Sequence, residues 1–316
     1  MADKTPMYKK LILRELYFSK SSSCATLSAR IKKSLVLTTK ILNELIEEGS
    51  VIETGLAPSS GGRRPIMYSV KPGVMNIVAV AMDQLMTRIT IVDMHQRKVI
   101  PVESFSLNLA GNRKALPMLV KKIQEVIELS GIPADKLAGI GIAMPGFIDV
   151  TEGINYSFLD ANGESVTEYI CQKTGLPVFI DNDSSLIALA EFRFGAAINK
   201  KNAMVVNINW GIGLGLILNR ELFRGYNGFA GEFSHIPLFT NDKPCSCGKY
   251  GCLETEASLL VVAAKAQQAL KNGQVSMLKI FPDDFVINFA NPFRKILINY
   301  RLIKRLKRFL TCGVFQ

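Results

Sequence analysis

Long apolar runs, histidine and acidic residues are all scarce in this 316-residue chain. No apolar stretch approaches the ~18 residues that a membrane-spanning helix needs, which excludes a helical membrane protein. The N-terminus is polar and charged with no secretory signal, so the chain reads as soluble and cytoplasmic. Six cysteines give no disulfide framework: Cys24, Cys171 and Cys312 are scattered, as in a reducing compartment. Only 27 Asp and Glu face 38 Lys and Arg, a formal net charge of +11. The imbalance is local. Residues 1–73 hold twelve basic and six acidic residues, and residues 285–316 hold seven basic and none acidic. The stretch between them is close to neutral, so the N-terminal unit looks like a separate nucleic-acid module. A hydrophobic content of 48% is ample for packed cores, and the length suggests about two or three domains.

One of the two histidines and three of the six cysteines lie close together, as His235-x9-Cys245-x-Cys247-x4-Cys252. Three thiolates and one imidazole complete a tetrahedral set for structural zinc. Gly248 and Gly251 permit the tight turns that such a loop needs. Two carboxylates, Glu232 and Glu254, are interleaved with the ligands although a closed metal site does not need them. The combination suggests a metal-stiffened loop that positions polar groups for a ligand.

The N-terminal 72 residues read as a winged helix-turn-helix. Helices are expected at about 8–20, 26–33 and 35–48, the third capped by Ser34 and stopped by Gly49. Ile41, Leu42, Leu45 and Ile46 make one apolar stripe, and Thr39, Lys40 and Asn43 face away from it, placed to enter a major groove. A hairpin pattern follows, Val51–Thr54 and Ile66–Val70, around a flexible tip of Ser60-Gly61-Gly62-Arg63-Arg64-Pro65. Arg63 and Arg64 suit the narrow, electronegative minor groove. Lys71-Pro72-Gly73 marks a boundary.

Beyond it, strands at about 76–82, 88–93 and 98–105, a helix at 113–129 and a strand at 137–143 form an α/β unit. A similar strand triplet recurs at 203–209, 213–219 and 221–223, which implies two related lobes, residues 73–195 and 196–316, flanking a cleft. Candidate ligand-binding segments are Met144-Pro145-Gly146, Asp181-Asn182-Asp183 and Gly231-Glu232-Phe233-Ser234-His235. Asp-Asn-Asp precedes a helix at 184–194. Its polar groups can bind a polyhydroxyl ligand, and one aspartate could act as a base toward a hydroxyl. A cap from Asp183 to that helix would need only one of the three.

Taken together these motifs resemble the ROK family of sugar kinases and sugar-responsive repressors, over about residues 8–260. The most specific of them is Cys245-x-Cys247-Gly248-x-x-Gly251-Cys252-Leu253-Glu254. The resemblance implies two RNase H-like lobes of the actin/hexokinase type. It implies that Asn182, Asp183, Glu232, His235 and Glu254 hydrogen-bond a sugar, with the Gly146 backbone nearby. His235 would contact sugar and zinc with its two ring nitrogens, and Asp183 would be the catalytic base in members that are kinases.

Family kinases carry Asp-x-Gly-Gly-Thr after the first strand, where backbone amides cradle phosphates. This chain has Asp83-Gln84-Leu85-Met86-Thr87, and both glycines are gone. Farther on, the family's Gly-Thr-Gly becomes Asn209-Trp210-Gly211, and the glycines at 211, 213 and 215 are explicable by a hairpin turn. An intact sugar set beside a degraded ATP site favours a repressor that binds operator DNA and senses a sugar effector, with a sugar kinase as the alternative. Asn155–Asn162 lacks the Pro-Asn…Trp loop of many relatives. From about residue 280 the sequence turns basic and loses its amphipathic periodicity, so the second lobe reads as incomplete through truncation or a frameshift. The competing reading is a true basic amphipathic tail, since Leu302, Ile303, Leu306, Phe309 and Leu310 recur at helical spacing. With an intact C-terminus the expectation is a homodimer or higher homo-oligomer.

Overall fold

The computed structural model describes residues 4–59, 64–161 and 164–273, which separate into two compact units. Arg63, Asn162, Cys312 and the tail from about 280 lie outside the described residues. The larger unit runs to Asn207 and resumes at Gly213–Glu232; the smaller takes Ile208–Ile212 and the chain from Phe233 onward.

The larger unit opens with α1 (Thr5–Ser19), β1 (Ser22–Ser23), α2 (Cys24–Ile31), α3 (Leu35–Glu47), β2 (Val51–Leu56) and β3 (Ile66–Val70). The helices begin where the sequence supplies caps: the Ser23 hydroxyl accepts the Thr26 amide, and Ser34 accepts that of Leu37. Lys32 takes a left-handed conformation at φ 54°, ending α2 and turning the chain into α3. Ile12, Leu16, Leu27, Ile41, Leu42 and Leu45 close a core with Val51 and Val70. β1, β3 and β2 form a three-stranded sheet in that order, antiparallel throughout.

The chain continues through β4 (Asn76–Met82), β5 (Met86–Asp93), β6 (Glu103–Ser106), α4 (Ala115–Ser130), β7 (Leu137–Met144), β8 (Ile148–Asp149), β9 (Ile154–Asn155), α5 (Val166–Thr174), β10 (Val178–Asn182) and α6 (Asp183–Phe194). The sheet order is β10-β7-β4-β5-β6. β4, β5 and β6 pair antiparallel as successive hairpin strands, whereas β7 and β10 return through helices and pair in parallel. Val78, Val80, Ile89, Ile91, Ile140 and Ile142 meet the inner face of α4, with Leu119 and Ile123, in one core. The strand expected over 98–105 is confined to 103–106, apart from a single bridge from Lys98 to Val92. Pro101 offers no amide to a ladder and interrupts the strand.

β11 (Ala203–Ile208), β12 (Ile212–Leu218) and β13 (Glu221–Leu222) form a further three-stranded sheet, in that order. α6 packs on it through Ala188 and Phe192 against Ile217. The smaller unit adds α7 (Glu254–Ala257) and α8 (Leu259–Lys271) after an irregular loop. No described helix is long and apolar enough to cross a membrane.

Candidate functional site

Parallel pairing of β7 with β10 decides what the larger unit presents. Asn182 lies in register with Met144, so the ends of the two strands sit side by side. Asn182 then joins them directly: its Nδ2 donates to the Gly146 carbonyl at 3.1 Å. Its Oδ1 accepts the amides of Ser184 and Ser185 at 3.0 and 3.1 Å. Asn182 is therefore the cap of α6, and the alternative of a cap from Asp183 is not what forms. Asp183 is the first helical residue. Gly146 has φ +103°, and a Cβ there would lie 2.6 Å from that of Ser157. A side chain at 146 is barred on both counts.

Asp183 accepts three hydrogen bonds. Oδ1 accepts the Ser184 amide at 2.7 Å and its hydroxyl at 3.1 Å, while Oδ2 accepts Asn207 Nδ2 at 3.2 Å. Burial pushes its carboxyl above the ordinary range against these hydrogen bonds, and the charge of Asp83 adds to the rise. Asp181, which the motif offered as a ligand group, is buried and bound to Arg224 through both oxygens at 2.9 and 2.6 Å. It anchors structure rather than facing a ligand. Asn207 and Arg224 were not singled out from sequence, since each acts across a distance in the chain that no local pattern reveals. Buried Asn155 was visible only as part of an atypical stretch. Its Nδ2 donates to the Pro145 carbonyl and its Oδ1 accepts the amides of Ser157 and Phe158, which shapes the loop over Gly146. The rings of Phe147 and Phe229 meet edge-on at 6.1 Å in the same unit. Gly231, at φ +102°, passes so close to the Leu214 carbonyl that a Cβ would lie 2.0 Å from it, and this sets the path of Glu232.

The phosphate-turn residues are closed on themselves. Asp83 Oδ1 accepts the amides of Leu85 and Met86 at 2.9 and 2.8 Å, and Oδ2 accepts Arg88 Nη1 at 3.3 Å. Gly213 and Gly215 have a different explanation from the hairpin turn expected for them. Both lie within β12, where a Cβ would stand 1.9 Å from Ser184 Oγ and 2.3 Å from the Ala188 Cβ. They let the strand lie flush against α6. Trp210 is buried in the smaller unit.

In the smaller unit, His235, Cys245, Cys247 and Cys252 bring their ligand atoms within 4.8 Å of one another. Cys245 Sγ lies 3.3 Å from His235 Nδ1, and Cys247 Sγ lies 3.7 Å from Cys252 Sγ. A tetrahedral ion with bonds of ~2.3 Å to sulfur requires S···S edges of about 3.8 Å, so the donor set fits a metal. Nδ1 is the ring nitrogen that faces the cluster. Burial and the neighbouring thiols push Cys252 up to about 11. Cys247 is lowered: burial opposes this, but the Lys249 amide and the other two thiols outweigh it. Burial, then the Lys249 charge, lowers His235, keeping the imidazole in the neutral form that ligates. Gly248 and Gly251 both have positive φ, and a Cβ at 251 would strike the Phe239 carbonyl at 1.9 Å. Glu254 begins α7 and accepts the Ile212 amide at 2.8 Å.

On α3, Thr39, Lys40 and Asn43 are exposed while Thr38, Ile41, Leu42 and Leu45 are buried. Leu35 and Val36 belong to the same outer surface, Val36 with 81% of its area exposed. Arg64 is exposed beside β3.

A family model described as the ROK family matches residues 94–283. The chain is 34% identical over 273 residues to a xylose repressor of Bacillus spizizenii, covering 82% of this chain and 68% of that one. The chain belongs to the ROK family. It is also 29% identical over 251 residues to an N-acetylglucosamine repressor of Escherichia coli O157:H7, covering 79% of this chain and 61% of the relative. Among solved structures it is similar to a ROK family transcriptional regulator described as a homolog of the E. coli MLC protein. The TM-score is 0.66 at 25% identity, covering 87% of this chain and 69% of that one. The fold is shared with a ROK family glucokinase from Streptomyces griseus, with a TM-score of 0.53 at 24% identity over 62% of each chain. This ROK chain is accordingly a mixed α/β protein whose relatives include sugar-responsive transcriptional repressors.

Proposed function

We propose that this ROK protein is a sugar-responsive transcriptional repressor working in the cytoplasm. α2 and α3 act as a helix-turn-helix, β2 and β3 as its wing, and the two α/β lobes as RNase H-like halves that sense the effector. Thr39, Lys40 and Asn43 enter the major groove, and Arg63 and Arg64 reach the minor groove. A homodimer would present two such modules to two half-sites. The effector is held by Gly146, Asn182, Asp183, Glu232, His235 and Glu254. Zinc occupies His235, Cys245, Cys247 and Cys252, stiffening the loop and fixing the imidazole tautomer.

The observation that carries the repressor reading over a kinase is the turn at Asp83. Phosphate binding needs free backbone amides, and those of Leu85 and Met86 are taken by Asp83's own carboxylate. Arg88 holds that carboxylate further. The retained glycines of β12 support ATP no better, since packing against Ser184 and Ala188 accounts for them. Phosphoryl transfer depends on charge stabilisation and positioning, so without the cradle Asp183 has no γ-phosphate to direct a sugar hydroxyl toward. Its role is then to hold the hydroxyl rather than deprotonate it.

A coupled phosphotransfer assay with ATP and D-glucose, D-xylose or N-acetylglucosamine tests this. The expected rate is no higher than that of Asp183→Asn. ATP-dependent phosphorylation of any of these sugars that Asp183→Asn abolishes would make the protein a kinase and overturn the reading.

A further inference from the structure

α6 has one end at the sugar residues and the other at the DNA-binding helices. Its twelve residues span about 18 Å at 1.5 Å per residue. Asn182 caps its first turn and Asp183 begins it. Gly213 and Gly215 let β12 lie directly on Ser184 and Ala188, and Phe192 is buried beside Ile217 in the same core. A helix clamped to a strand in this way moves as one body with it, since packed interiors shift between discrete arrangements rather than deform smoothly.

The far end touches α1. The Arg193 guanidinium lies 4.5 Å over the Phe18 ring, and the Phe194 ring lies 5.8 Å from it. Phe18 is in the last turn of α1. The turn after β5 gives the same helices a second support, of a different kind: Gln96 Nε2 donates to the Tyr17 carbonyl at 2.8 Å, and His95 Nε2 lies 2.9 Å from the Val70 carbonyl. Met94 packs into their core. That support is hydrogen-bonded and anchored. The Arg193 support is not, because its Nε is buried with no hydrogen-bond partner among the described residues. Burial also lowers the guanidinium's pKa, with Glu15 opposing. A ring face offsets only part of what a desolvated, unpaired donor costs, so this support is the weaker of the two. One firm support and one weaker support make a pivot and a lever.

We propose that α6 transmits sugar binding to the DNA-binding helices, with Arg193 as the positioning residue that couples them through Phe18. Sugar drawn against Asn182 and Asp183 shifts α6 together with β12, and the Arg193–Phe18 contact converts the shift into rotation of α1 about the Gln96 support. This rests on the sugar-responsive repressor reading and specifies how its response is carried.

The test uses the full-length protein, Arg193→Ala, Phe18→Leu and the conservative Arg193→Lys. Anisotropy on labelled duplex from the protein's own upstream region is measured at one salt concentration, with and without D-xylose, D-glucose or N-acetylglucosamine. Calorimetry gives the affinity for the same sugars without DNA. In the wild type one sugar should change operator affinity by about ten-fold, within the range usual for coupled sites, and operator should change that sugar's affinity by the same factor. In Arg193→Ala and Phe18→Leu, affinity for the sugar alone should stay within about two-fold while the coupling factor falls to about one. Arg193→Lys should restore part of it. Both variants coupling like the wild type would overturn the inference and leave the repressor reading intact. A folded wild type that binds its operator indifferently to every sugar would remove that reading, and the inference with it.

Discussion

Replacing Arg224 with alanine should destabilise the larger unit by about 2–3 kcal/mol, because of what it leaves behind at Asp181. That carboxylate sits at the end of β10 with 8% of its area exposed. It accepts Arg224 Nη1 and Nη2 at 2.9 and 2.6 Å and the Asn182 amide at 2.8 Å. Removing one partner of a fully buried pair costs about 3–5 kcal/mol, most of it for stranding the other charge. Arg224's side chain is 38% exposed, so water reaches Asp181 after truncation and the lower figure applies. Urea denaturation followed by circular dichroism of wild type, Arg224→Ala, Asp181→Asn and the double variant forms the cycle. The double variant should recover much of the loss, since a neutral amide tolerates burial better than a carboxylate. Arg224 also holds the start of the segment that carries Gly231 and Glu232, so weaker sugar binding should accompany the instability. An Arg224→Ala protein within about 0.5 kcal/mol of wild type, or a double variant no more stable than the single one, would refute the argument.

Other consequences can be measured as directly. Metal analysis should find one zinc per chain, and Cys247→Ser should lower its retention, because three protein ligands hold a structural ion less well than four. Asp183 has a folded pKa raised above the ordinary 3.8. Its contribution to stability is therefore complete below that pH and lost as pH rises through the folded value. Asp183→Asn should then be at least as stable as wild type at neutral pH in thermal melts, the advantage vanishing in acid, while sugar binding is lost. With Lys40 at the edge of the major groove contacting a phosphate and Asn43 reading a base, Lys40→Ala should weaken binding to all DNA sequences alike and reduce the salt slope by about one, whereas Asn43→Ala should relax specificity at one base pair, in titrations over several salt concentrations.

Much of this arrangement is legible in the sequence, and the illegible parts share a cause. The helix cap at Ser34, the glycine after α3 and the alternation in β4 are local patterns that dictate local structure. The cysteine spacing is legible for a similar reason: Gly248 and Gly251 permit turns that bring near neighbours together. Interactions across long stretches of chain are not legible. Nothing near Arg224 names Asp181 as its partner, and nothing near Gly213 shows that Ser184 will press against it. Aspartate is a good cap, so the sequence leaves Asp183 open as the cap of α6. Its neighbour Asn182 won because one amide can accept from the helix and donate to Gly146 together.

The central claim is that this ROK protein couples sugar binding to operator binding. Fluorescence anisotropy of the purified protein on its own upstream DNA, titrated with D-xylose, N-acetylglucosamine and D-glucose, tests it most directly. The account predicts sequence-specific binding that one of these sugars alters and that Asp183→Asn leaves in place but unresponsive. Absence of sequence-specific binding by a demonstrably folded protein would contradict it.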